Sequence, residues 1–145
     1  MAHVSTYLNF VDSTEAAFEF YRRVFGTDYA SPVMRYGDMP PHEGMPELDA
    51  ATKRLVLNVQ LPILGGHLLM GSDVPAAMGM GLTPGDNVQI TLHPDSRAEA
   101  DRLFAALSEG GTVQMPLQEM FWGSYHGSLR DRFGTWWLVD CAATE

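Results

Sequence analysis

Six residues near the start of the chain, Asp12-Ser13-Thr14-Glu15-Ala16-Ala17, return in altered form as Asp95-Ser96-Arg97-Ala98-Glu99-Ala100, 83 positions later. The surroundings repeat as well. Before the first copy, apolar Val4, Leu8 and Phe10 share one parity and Ser5, Tyr7 and Asn9 the other, which is the pattern of a strand with one face on a core. Before the second copy, Val88-Gln89-Ile90-Thr91-Leu92 alternates in the same way. After the first copy, Ala16, Ala17, Phe20, Tyr21, Val24 and Phe25 form an apolar helical stripe ended by Gly26. After the second, Ala100, Leu103, Phe104 and Leu107 do the same before Gly110-Gly111. The motif itself carries helix-capping residues; Asp12 and Glu15 have the spacing of a capping box.

Each helix is followed by about three strands. In the first half these are a short Val33–Tyr36, the alternating Arg54–Leu61, and His67–Gly71. In the second they are Thr112–Met115, Gly123–Leu129 and Thr135–Cys141. Pro40, Pro41, Gly44 and Pro46 mark an irregular loop. The order strand–helix–strand–strand–strand is thus written twice. The first module spans about residues 1–74, a Pro-, Gly- and Met-rich linker 75–86, and the second module about 87–145. A copy of roughly 70 residues leaves a sheet face uncovered, so both copies are expected in one α+β domain.

The chain's 145 residues carry nine basic and eighteen acidic side chains, for a net charge of −9. That balance argues against nucleic acid or an anionic membrane as partner. No apolar run reaches the roughly 20 residues of a membrane helix, and the first residues lack the pattern of a signal peptide. The single cysteine, Cys141, fits a cytoplasmic location and reads as a core thiol.

The ordered set Tyr7-Leu8-Asn9-Phe10, Glu15 to Tyr21, Val24-Phe25-Gly26, Met115-Pro116-Leu117, Phe121-Trp122-Gly123, Gly127 and Asp131 to Trp137 resembles the vicinal oxygen chelate superfamily. That superfamily includes glyoxalase I, bleomycin-resistance proteins and extradiol dioxygenases; the likeness is strongest to its PhnB-like branch. One departure is Arg132, where the family has proline before Phe-Gly. The resemblance implies two βαβββ modules whose mixed sheets curl around a cavity, helices outside, and a homodimer. By parity, helices then cover Val4, Leu8, Phe10, Leu55, Leu57, Val59, Val88, Ile90 and Leu92. The cavity receives Ser5, Tyr7, Asn9, Asn58, Gln60, Gln89 and Thr91.

Metal-binding relatives carry His, Glu or Gln on inward strand positions. Here those positions fall near Ser5, Gln89, Leu138 and the segment holding His67. Serine and leucine are poor ligands for a divalent ion, so no cofactor is expected. A divalent metal held by His67 and Gln89 is the alternative. Among the histidines, His126 is the candidate general acid or base, because imidazole has an ordinary pKa of about 6.5. Trp122, Tyr125 and Trp136 are candidate aromatic walls, with Trp136 expected on the cavity face and Trp137 under a helix. The ligand-binding set is therefore Tyr7, Asn9, Asn58, Gln60, Gln89, Trp122, Tyr125 and Trp136. The expected function is metal-independent binding of a small molecule; a metal-dependent lyase, isomerase or dioxygenase of the glyoxalase type is the alternative.

Overall fold

A computed structural model describes residues 1–142 of the chain; the expected end of the second module, 143–145, lies outside the described residues. Two compact units meet at the Thr83–Pro84 bond. The first unit contains β1 (Thr6–Phe10), α1 (Thr14–Phe25), β2 (Met34–Arg35), α2 (Ala50–Arg54), β3 (Val56–Pro62) and β4 (Leu68–Asp73). Its sheet order is β1-β4-β3-β2. The second contains β5 (Ile90–Leu92), α3 (Arg97–Ser108), β6 (Thr112–Glu119), β7 (Tyr125–Arg130) and β8 (Trp136–Cys141), in the order β5-β8-β7-β6. In each unit the first strand runs parallel to the last and the remaining pairs are antiparallel. The fold is α+β, with two mixed four-stranded sheets that are not closed into barrels. The repeat seen in the sequence is a repeat of topology.

Each helix packs on one face of its own sheet. In the first unit α1 buries Ala17, Phe18, Phe20, Tyr21 and Val24, and the sheet supplies Leu61, Leu69 and Val59. Phe18 packs onto β4 because Gly71 has no side chain; a Cβ there would sit 2.6 Å from the ring. In the second unit α3 buries Ala100, Leu103, Phe104 and Leu107 over Leu129, Trp137 and Val139. Here Phe104 presses on Gly127, where a Cβ would come within 2.9 Å. Each fully buried large side chain of this kind contributes roughly 1.5–3 kcal/mol.

Several expectations change. Parity places Leu55 and Leu57 on the helix side, but Val56 is the buried residue there, 1% exposed. The cause is a bulge: Met34 pairs with Asn58 and Arg35 with Val56, so β3 carries one extra residue and its parity reverses. Val4 and Val88 lie outside β1 and β5 and are 82% and 72% exposed. β6 continues through Pro116 to Glu119, which an edge strand with register shifts near Met115 tolerates. Ser96 caps α3 through a 3.1 Å bond from the Glu99 amide, but Ser13 makes no side-chain cap to α1. At the turn before β8, Arg132 does what proline cannot: its Nε donates to the Glu109 carbonyl at the end of α3, 3.1 Å away. Buried Asp131 holds the same turn by accepting from the amides of Phe133 and Thr135 and from the Trp137 indole.

The start of α1 is capped from a distance, by Asp73 at the end of β4. Its Oδ1 accepts from the Thr14 amide at 3.0 Å and its Oδ2 from the Val56 amide at 2.8 Å. The Tyr36 hydroxyl donates to the Asp73 carbonyl at 2.8 Å. Asp73 is only 2% exposed, so water cannot replace these bonds. Replacing Asp73 by alanine leaves two buried amides unpaired, each costing about 1–3 kcal/mol. Urea unfolding is expected to show Asp73→Ala destabilised by about 3 kcal/mol, with Asp73→Asn in between.

Candidate functional site

The face of each sheet away from its helix is built differently from the core. In the first unit the pairing register aligns Tyr7 with Met70 and Met70 with Gln60, and sets Asn9 beside Ser72. These side chains satisfy one another. Ser72 donates to Asn9 Oδ1 at 3.2 Å and Gln60 Nε2 to Asn58 Oδ1 at 3.3 Å. The Ser5 hydroxyl points to the Met70 sulfur at 3.6 Å. Tyr7 is 47% exposed, so its ring is available.

In the second unit the same face carries Thr91, Leu138 and Ser128 in one row, with Trp136 beside Arg130 and Asp140 beside His126. Gln114 Oε1 accepts from Ser128 at 3.0 Å and from Gln89 at 3.4 Å. The Arg130 guanidinium lies 5.7 Å from the centre of the Trp136 ring. Trp137 is fully buried on the helix side, so the two adjacent tryptophans divide between the faces.

His126 has the most elaborate surroundings. Its Nδ1 lies 3.0 Å from Asp140 Oδ1. His93 approaches the other oxygen, Oδ2, at 3.6 Å. Burial pushes the Asp140 carboxyl up, but hydrogen bonds from His126 and Ser124, with the charges of His126 and His93, outweigh it and hold it below the ordinary carboxylate value. Trp122, in the β6–β7 turn, meets His126 edge to face at 5.9 Å, and its Nε1 donates to Ser124 at 2.6 Å. A histidine oriented by a carboxylate is a competent proton carrier.

The structure therefore brings Tyr7, Asn9, Asn58 and Gln60 onto one far face. Trp136 and His126 share the other, with Gln89 and Trp122 at its margins. Tyr125 is not with them. It leaves β7 on the helix side, where its hydroxyl donates to Asp101 at 2.6 Å and Arg97 lies over its ring at 4.9 Å. Asp140, His93, Ser128 and Arg130 join the set. The signal for Asp140 was parity, since it stands two residues beyond Leu138 on the same face.

The positions that would hold a metal have other tasks. Ser5 is turned to Met70, Gln89 to Gln114, and His67 Nε2 lies 2.9 Å from Thr6 Oγ1. Leu138 offers no donor atom. Among the described residues, no three of His, Cys, Asp and Glu gather as metal ligands would. This donor set does not fit the divalent ion found in glyoxalase-type enzymes.

The family model for the Glyoxalase/Bleomycin resistance protein/Dioxygenase superfamily matches residues 2–139. The chain belongs to this superfamily. Protein YjdN of Escherichia coli (strain K12) is 24% identical over 94% of this chain and 93% of its own length. Among solved structures, PA1353 of Pseudomonas aeruginosa is 34% identical with a TM-score of 0.82, and the likeness covers 98% of both chains. A PhnB protein from Bacillus cereus shares the fold, with a TM-score of 0.75 at 22% identity over 97% of this chain and all of that one. Both sheets of the superfamily member described here are thus seen in solved relatives. No helix among its described residues is long and apolar enough to cross a membrane.

The lowered Asp140 value carries a prediction. A depressed carboxyl stabilises the folded state above its unfolded value of 3.8 and loses that contribution as pH falls through the lower folded value. At about pH 5, Asp140→Asn is expected to unfold about 1 kcal/mol more easily than the parent. In a pH series of thermal melts the gap closes as the pH drops below 3.8.

Proposed function

We propose that this protein is a PhnB-like, metal-independent binder of a small molecule, taken on the far faces of its sheets. The observation that carries the reading is the composition of those faces. The first unit's face offers amides from Asn9, Asn58 and Gln60 and the Tyr7 ring; the second unit's face, by itself, offers Gln114, Ser128 and the Trp136 ring. Polar groups of this kind orient a ligand, and aromatic rings supply contact area. A net charge of −9 favours neutral or cationic ligands, and planar compounds suit the Trp136 ring.

The His126–Asp140 pair adds a proton-transfer group to the second unit's face, so a reaction on a molecule bound there is compatible with the site. The competing reading is a metal-dependent lyase, isomerase or dioxygenase. It requires a divalent ion to be held by His67 and Gln89, which here bond to Thr6 and Gln114.

A thermal-shift panel of planar neutral and cationic compounds, run with and without chelator, separates the readings. The proposal expects at least one compound to raise the melting temperature equally in both conditions. Trp136→Ala should reduce that compound's affinity by about tenfold, as loss of an aromatic contact does. Stabilisation that appears only with an added divalent ion supports the metal-dependent enzyme instead. A full panel with no shift overturns binding on these faces.

A further inference from the structure

The segment between β2 and α2, with Lys53 of α2, lines a half-open cavity of about 400 Å³ within the first unit. It shares no lining residue with the far face. Tyr36 and Leu48, both buried, and the methionines Met39 and Met45 line it. The volume lies in the range of small-ligand sites, and methionine adapts its shape to an apolar guest.

Two basic side chains, Lys53 and His42, stand on this lining. Lys53 is the chain's single lysine. Among the described residues no carboxylate lies within ion-pair distance of Lys53. The root of Lys53 is held firmly. Asp49 caps the helix that carries it by accepting from the Thr52 amide at 2.8 Å. Gly37 packs so closely that a Cβ there would lie 3.1 Å from both Lys53 Cβ and its carbonyl oxygen. The backbone is thus positioned while the ammonium group is left to reach a ligand. Glu47 lies on the same lining and repels anions, so a ligand with one carboxylate is favoured over one with two.

We propose that this cavity binds a small apolar monocarboxylate, with its hydrocarbon part among Met39, Met45 and Leu48 and its carboxylate on the Lys53 ammonium. The site is independent of the far faces.

Octanoate and its neutral counterpart 1-octanol are suitable probes, titrated calorimetrically and by NMR of methionine methyl groups. The wild-type protein is expected to bind octanoate about two- to fivefold more tightly than octanol, the worth of one exposed ion pair. Octanoate should move the Met39 and Met45 signals. Lys53→Met removes the preference for the acid and leaves octanol binding as it was, while Trp136→Ala leaves both unchanged. Lys53 is exposed, so its replacement is compatible with folding, and circular dichroism checks this. Absence of octanoate binding, equal affinity for acid and alcohol, unmoved Met39 and Met45 signals, or a preference that survives in Lys53→Met each overturn the proposal. Loss of octanoate binding in Trp136→Ala would place the ligand on the far face instead.

Discussion

In each unit one helix of twelve residues has to cover a sheet of four strands. It can cover one face only. That limit divides every strand into a side that packs and a side that does not. The packing side is apolar and tight enough for a phenylalanine ring to rest on a bare glycine, Phe18 on Gly71 and Phe104 on Gly127. The other side is free to carry polar groups, because they do not have to enter the core. The proposed ligand site lies on the side that the helix leaves alone.

The two units solve the remaining problem, holding helix to sheet, with buried aspartates in different places. Asp73 ties the start of α1 to the start of β3. Asp131 shapes the turn before β8 and catches the indole of Trp137 beneath α3. Both are carboxylates accepting from neutral N–H donors, so each is fully bonded although buried. The repeated topology has been stabilised by unrelated local means, as expected of copies whose sequences have drifted.

Much of this was legible from alternation and repetition alone. The two long helices, the order of strands along the chain and the division of Trp136 from Trp137 follow from periods of two and of about 3.6, whereas the short α2 does not: Arg54 reads as the start of a strand. What escaped was whatever breaks a count. One extra residue in β3 reversed the faces of Leu55, Val56 and Leu57. Pro116 looked like the end of a strand that a bulged edge in fact continues. Tyr125 sits on the helix side because β7 begins there, one residue before His126. Asp140 hid inside an apolar run, and its role depends on His93 and His126, which the sequence sets 47 and 14 residues away. Contacts across strands of that separation leave no periodic trace.

The central claim is that the polar groups on the far faces serve a ligand and not the fold. The most direct measurement is the unfolding free energy, in urea, of the double variant Asn58→Leu with Gln60→Leu. Both residues are half-buried and bond to each other. If they stand apart from the core, the variant unfolds within about 0.5 kcal/mol of the parent, as surface substitutions do. A loss of about 2 kcal/mol or more would show that these amides hold the structure together, and would contradict the account.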